Sequence, residues 1–200
     1  MADPAYIDQE TGVLTDPEAW LSLGSTTLGS DTAMVTFTNP DDGSSLDWGQ
    51  FMDLVIIWYA RCADSGAQLT YLSMRFNNDT ASFSYPYQYV RGNGANVSSG
   101  ESQGQTSILL GMYPQDSFMN GIYAAGVCHI FDINSGKYKT LLQRTAADLD
   151  AADTGNTWLG SVIWKKQEAL TEIDIYQMFG EDHKAGSRFD LFGVFPRMVV

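Results

Sequence analysis

The most strand-like stretch of this sequence is MDLVIIWYAR, from Met52 to Arg61. It is apolar at nearly every position and rich in β-branched and aromatic side chains, which is typical of a strand buried on both faces. A membrane-spanning helix would need about 18 uninterrupted apolar residues, and this run is much shorter. We therefore predict that it forms a central strand of a β-sheet.

Segments on both sides of this stretch alternate apolar and polar residues with a period of two, and clusters of Gly, Asn, Asp, Ser and Pro separate them. About ten strands without a long helix predict an antiparallel sandwich or barrel. We expect residues 91–105, which are rich in Gly, Ser and Asn, to form a surface loop. The other predicted strands are residues 32–38, 68–76, 83–89, 106–113, 119–131, 138–144, 157–164, 171–178 and 187–195.

The first 24 residues differ from the rest, and we predict an N-terminal arm with a short helix over 1–24 and a β domain over 25–200. Thr15-Asp16-Pro17-Glu18 matches a capping box, in which the threonine hydroxyl and the glutamate carboxylate bond each other's backbone amides. Gly24 is expected to end the helix. Because so short a helix is unstable alone, Trp20 is expected to dock on the domain or on a neighbouring subunit.

Charge excludes several classes of partner. Lys and Arg number 11 against 24 Asp and Glu, for a net charge of −13. Nucleic acid and anionic membranes are disfavoured because both are bound by clustered cations. The N-terminus has no basic region followed by an apolar core, so no secretory signal is visible. We expect Cys62 and Cys128 to be buried thiols of a protein made in a reducing cytoplasm, although a disulfide between them stays open.

No catalytic motif emerges, and we expect no catalytic residue, metal or cofactor. The sequence lacks Gly-x-Ser-x-Gly, P-loop, His-Glu-x-x-His and Cys-x-x-Cys patterns. His129 follows Cys128 on a predicted strand, so their side chains point to opposite faces, and His183 lies in a polar turn where we expect it to be solvated. The spacing of Asp148, Asp150 and Asp153 fails the calcium-loop pattern. Plentiful carboxylates leave a glycan hydrolase open as a distant alternative.

An ordered set of motifs runs through most of the chain. It includes Thr27-Leu28-Gly29-Ser30, Asp53-Leu54-Val55 with Ala60-Arg61, Phe76-Asn77-Asn78-Asp79-Thr80, and Gly186-Ser187-Arg188-Phe189 with Leu191-Phe192-Gly193. This set resembles a family of small tailed-phage virion structural proteins. The set covers Ser25 to Val194, with Asn78 standing where the family has Gly and Phe192 where it often has Tyr. The resemblance implies a jelly-roll β-sandwich and a decoration, minor capsid or tail-associated role, and it transfers no catalytic residue.

We therefore expect a capsid decoration (cement) protein that bridges neighbouring major capsid subunits on the outer head surface of a virion. An acidic chain repels packaged DNA, which favours the outside of the head, and a homotrimer made in the bacterial host cytoplasm is expected. The alternative is a tail-fibre or receptor-binding head domain that recognises host glycans through residues 91–105 and aromatic rings. The candidate partner-binding residues are Ile7, Val13, Leu14 and Trp20 for anchoring, and Trp48, Phe51, Tyr85, Tyr87 and Tyr89 for contacts between subunits.

Overall fold

The computed structural model describes residues 20–116, 121–149 and 155–195. Within these residues the chain forms twelve β-strands and one 3₁₀ turn at Trp48–Gln50. This confirms the all-β prediction. The strands are β1 (Trp20–Thr27), β2 (Met34–Thr38), β3 (Asp53–Ala60), β4 (Leu69–Phe76), β5 (Tyr87–Gly92), β6 (Val97–Ser102), β7 (Ile108–Pro114), β8 (Ala124–Phe131), β9 (Lys139–Ala147), β10 (Asn156–Trp164), β11 (Glu172–Gln177) and β12 (Arg188–Val194).

Two antiparallel sheets pack face to face as a sandwich of jelly-roll type. The larger sheet has the order β1-β12-β3-β8-β9-β10-β5-β6, and the smaller has the order β2-β11-β4-β7. Strand β7 forms one edge of the smaller sheet and packs against β9 and β10. Strands β5 and β6 therefore extend the larger sheet beyond the edge of the smaller one.

Strand β3 lies in the middle of the larger sheet, as its sequence predicts. Leu54, Ile56 and Trp58 point toward the smaller sheet and are buried. Val55 is also buried although it points to the opposite side, whereas Ile57 is exposed. Burial on both sides of the first half of the strand explains its uninterrupted apolar run.

One buried carboxylate joins three strands of the smaller sheet. Asp174 on β11 is almost fully buried and accepts hydrogen bonds from the Thr36 hydroxyl on β2 at 2.7 Å and from Arg75 Nε on β4 at 3.1 Å. A buried carboxylate is stable only when it is paired and hydrogen-bonded, and these contacts meet that need.

The predicted helix does not extend over Trp20–Gly24, because these residues belong to β1. Trp20 pairs with Val194 and Gly24 with Leu191 in the ladder between β1 and β12. Pairing along a ladder satisfies the backbone groups that one or two isolated helical turns leave partly unsatisfied. The larger sheet therefore begins before residue 25, and the rest of the predicted arm lies outside the described residues.

The predicted loop over residues 91–105 is also wrong, because most of it is strand. β5 continues to Gly92, residues 93–96 turn the chain, and β6 runs antiparallel to β5 from Val97 to Ser102. Because β6 lies at the edge of the sheet beyond the smaller sheet, little of it needs an apolar side chain. Its Ser- and Gly-rich sequence therefore lacks the alternation that marks buried strands.

Candidate protein-interaction face

The larger sheet has one side turned away from the smaller sheet, which we call the outer face. Alternate residues of each strand lie on it, and the cross-strand register places Ile57, Val127, Arg144, Leu159 and Val90 in one row across five strands. Much of the outer face is apolar and exposed to solvent. Its large exposed apolar side chains, between 38% and 80% accessible, are Trp20, Ile57, Tyr59, Val90, Val97, Leu142, Leu159 and Ile163.

A shallow depression of about 660 Å³ lies at the end of the outer face formed by β9, β10, β5 and β6. Val90, Leu142 and Leu159 supply apolar surface to it, and Gln88 and Glu101 supply polar groups. Residue pairing places Gln88 directly opposite Ser161, and Val90 directly opposite Leu159. The depression is therefore a mixed surface in which aliphatic side chains alternate with short polar ones.

The strand residues of the outer face are close to neutral, although the whole chain carries −13. Arg188 lies 2.9 Å from Asp190, and His129 Nε2 lies 2.8 Å from Asp53 Oδ2. In the part of the chain that the structure describes, Glu101 and Arg144 are exposed and have no ion-pair partner. The face carries one net negative charge, from the three carboxylates of Asp53, Glu101 and Asp190 and the two guanidinium groups of Arg144 and Arg188.

Trp20 lies at one corner of the outer face. Its side chain is 43% exposed, and its ring centroid is 5.9 Å from that of Phe192 on β12. Trp20 thus docks on its own domain and leaves part of its ring accessible. Its proposed anchoring partners Ile7, Val13 and Leu14 lie outside the described residues.

Three predicted contact residues, Trp48, Phe51 and Tyr85, are buried in the chain itself. The Phe51 ring packs at 4.9 Å from Phe195, and the Tyr85 hydroxyl accepts a hydrogen bond of 3.1 Å from the amide of Phe76. These side chains offer no surface to a neighbouring subunit. Sequence alternation marks an aromatic row but does not tell whether the row faces the core or a partner, because both environments are apolar.

Tyr87 and Tyr89 lie on the opposite side of the sheet, facing inward where β5 extends beyond the smaller sheet. The Tyr89 ring stacks on Trp158 at 4.0 Å with an interplanar angle of 15°. Directly across the ladder is Gly100, where a Cβ would come within 2.8 Å of the same ring. Tyr87 is half-buried and packs against the core. Packing within the chain therefore occupies much of the predicted aromatic row, and Trp158 covers one face of the Tyr89 ring.

A buried polar cluster formed by His183, Tyr113 and Cys62 was not predicted, since His183 was expected to be solvated. His183 is fully buried, with Nδ1 at 3.2 Å from the Tyr113 hydroxyl and Nε2 at 3.2 Å from the carbonyl oxygen of Ile175. Burial lowers the pKa of His183 and raises the pKa of Cys62. The sequence signal was weak because His183 follows Glu181 and Asp182, which are typical of a polar turn.

The described residues contain no group of three or more His, Cys, Asp or Glu side chains placed to hold a metal ion. Asp148 belongs to these residues, whereas Asp150 and Asp153 do not. Both cysteines are free and buried, as expected, and burial raises the pKa of the Cys128 thiol. Over the same residues no helix has the length and apolarity needed to span a membrane.

Comparisons with known proteins give no family for this chain. No family model and no curated protein matches it. Among solved structures, it is similar to the CBM40 of Ruminococcus gnavus IT-sialidase, at 9% identity and a TM-score of 0.32 over 88% of this chain and 95% of that one. It is also similar to a leech intramolecular trans-sialidase, at 11% identity and a TM-score of 0.23 over 78% of this chain and 26% of that one. Scores this low carry no argument about function.

Proposed function

We propose that this chain is a non-enzymatic structural protein of a tailed-phage virion, a capsid decoration protein that bridges neighbouring capsid subunits on the outer head surface. The motif resemblance supplies the virion class. The observation that carries a binding role is the outer face, which is a broad, exposed and nearly neutral apolar surface on an acidic chain. Exposed apolar surfaces of this extent are typical of protein–protein contacts.

The distribution of charge supports an exterior location. Most of the acidic side chains that the structure describes outside the outer face occupy loops, including Asp41 and Asp42 before the 3₁₀ turn and Glu181 and Asp182 after β11. A chain with 13 surplus negative charges is repelled by DNA phosphates. A position on the outside of a DNA-filled head avoids that repulsion, whereas a position in the lumen does not.

The alternative role, glycan recognition by a fibre head, has less support from the geometry. Sugar rings bind to open aromatic faces, but one face of the Tyr89 ring is stacked on Trp158, and Tyr85 is buried. The one aromatic residue among those lining the depression is Tyr89, whose ring stacks on Trp158, and the other apolar side chains there are aliphatic. Aliphatic and short polar groups together suit a protein surface better than a sugar.

Immunogold electron microscopy of intact particles, with antibody raised against the purified chain, tests the proposal. We expect gold label over the heads. The same protein in the lysate of infected cells is the positive control for antibody binding. Label confined to the tail or its fibres would replace the decoration role with the fibre role. An absence of label on particles, with abundant protein in the infected lysate, would reject a virion role.

A further inference from the structure

We infer that Phe83 is an anchor residue that inserts into an apolar pocket on the capsid subunit, and that a carboxylate borders this pocket. The inference rests on the proposed decoration role and names a residue through which the capsid contact is made. Neither the backbone conformation nor burial within the chain accounts for a phenylalanine at this position.

Phe83 occupies the third position of a tight turn between β4 and β5. The turn runs from Ala81 to Ser84, and the Ser84 amide donates a hydrogen bond of 3.3 Å to the Ala81 carbonyl oxygen. The φ angle of Phe83 is 69°, in the left-handed region that a type II turn requires at this position and that favours Gly or Asn. The other described non-glycine residues with positive φ are all Asn or Asp, which tolerate it. A phenylalanine here therefore strains the backbone of the free chain.

The phenyl ring of Phe83 gains little from burial in return for this strain. Its side chain is 60% exposed and does not belong to the apolar core. The ring lies against Gly104, where a Cβ would be 3.8 Å from Cε1, so it meets a residue without a side chain. Strained residues of this kind cluster at binding and active sites. Strain together with exposure indicates that a partner buries the ring.

Phe83 adjoins one end of the outer face. The carbonyl oxygen of the next residue, Ser84, accepts a hydrogen bond of 2.9 Å from the Lys165 amide. Lys165, together with Ile163 and Gln103, lines a second depression of about 340 Å³ at that end. Phe83 therefore extends the exposed apolar surface that we assign to capsid contact. Aromatic side chains that fill pockets at such contacts supply a large part of the binding energy.

The charge next to Phe83 is positive, although the chain as a whole is acidic. Lys165 is exposed and belongs to no ion pair among the described residues, whereas Lys166 lies near Asp79. A carboxylate at the border of the partner's apolar pocket would complement Lys165. A protein is favoured over an anionic membrane as the partner, because the net charge of −13 repels a surface of like charge.

The first measurement uses the purified full-length chain without any particle. Phe83→Asn relieves the backbone strain, so we expect its melting temperature to rise by about 2–4 °C. The matched control is Phe179→Asn, which removes a ring that is 68% exposed from a backbone outside the left-handed region and should give no rise. A fall in the melting temperature of Phe83→Asn would show that the ring stabilises the chain itself, and would overturn the inference.

The second measurement is co-sedimentation of the same proteins with heads that were assembled without this chain. We expect Phe83→Asn to raise the dissociation constant for heads at least about tenfold. Lys165→Glu should raise it as well, because it places like charges together at the border of the pocket. Phe179→Asn should bind as wild type does. Greater stability combined with weaker binding is a result that misfolding of Phe83→Asn cannot produce.

The outcomes separate this inference from the decoration role. If wild type and Phe83→Asn bind heads equally, the inference is overturned and the decoration role remains. If wild type does not bind heads, the decoration role is rejected together with the inference that rests on it. Unchanged binding of Lys165→Glu would overturn the acidic border of the pocket. Binding of the free chain to vesicles of phosphatidylcholine and phosphatidylserine that is lost in Phe83→Asn would make the partner a membrane and overturn the inference.

Discussion

At the level of single residues, His183 shows how the core imposes a protonation state. The carbonyl of Ile175 can only accept a hydrogen bond, so Nε2 carries the proton and Nδ1 accepts from the Tyr113 hydroxyl. A second proton would put a positive charge into this buried site, and the hydrogen bond to the Ile175 carbonyl and the nearby Asp182 would favour it. Burial outweighs both effects and lowers the pKa of His183.

This assignment predicts that wild type loses stability as the pH falls below about 6.5, the ordinary histidine pKa. Below that pH the imidazole of His183 binds a proton in the unfolded chain but stays neutral in the folded chain. The free energy of unfolding therefore decreases as the pH falls, by at most about 1.4 kcal/mol per pH unit, until the pH reaches the pKa of His183 in the folded chain. His183→Gln should be less stable at pH 7 but should lack this decline between pH 7 and 5. Urea unfolding at each pH measures it. An unchanged decline in the variant would assign the effect to another group.

At the level of elements, packing within the larger sheet depends on glycines placed opposite large rings. The Trp58 ring on β3 covers Gly126, its partner on β8, so closely that a Cβ there would lie 2.1 Å from Cζ2 of the ring. No side chain fits without displacing the indole. The pairing of the largest residue of β3 with the smallest residue of β8 therefore leaves the indole the space that it occupies.

Alanine substitution separates this steric role from the general effect of glycine on the unfolded chain. Gly126→Ala is expected to reduce the free energy of unfolding by about 1–3 kcal/mol, because it overpacks a filled site. Gly92→Ala in β5 is the matched control, since a Cβ at Gly92 has no atom within 4 Å, and it should be neutral or slightly stabilising. Urea unfolding of both variants gives the comparison. Equal effects would show that the Trp58 contact relaxes at little cost.

At the level of the whole molecule, charge and apolar surface are separated. Loops carry much of the acidity, whereas the strands of the outer face are nearly neutral and expose aliphatic side chains. Long-range repulsion keeps such molecules apart in dilute salt, and the apolar face becomes effective only at short distance. The same division suits a protein that must stay soluble until it assembles.

Salt is therefore expected to strengthen association between copies. Raising NaCl from 10 to 150 mM shortens the screening length from about 30 Å to about 8 Å, which reduces the repulsion between chains of charge −13. Sedimentation equilibrium at the two concentrations should give a lower dissociation constant at 150 mM. A higher dissociation constant would mean that attraction between opposite charges outweighs the overall repulsion.

Local patterns allowed much of the fold to be predicted. Alternation with a period of two identified most of the strands, and the apolar run from Met52 to Arg61 correctly predicted β3 as a central strand. These patterns are informative because a strand with one or two buried sides needs apolar residues at set positions within a few neighbouring residues. β6 was missed because a strand at the solvated edge of the sheet needs no alternation of apolar and polar residues. The segment Trp20–Gly24 was assigned to a helix because the capping pattern in the preceding residues resembles a helix start.

Long-range pairing determined where the functional surface lies. Tyr85 and Tyr87 alternate in the sequence as an interface strand would, yet one is in the core and the other packs against it. The row of Ile57, Arg144, Leu159 and Val90 joins residues far apart in the chain, and only the register of the sheet brings them together. Composition and alternation thus specify an acidic all-β chain, because they depend on neighbouring residues. The direction in which each apolar row faces depends on strand order, which is a property of the assembled sheets.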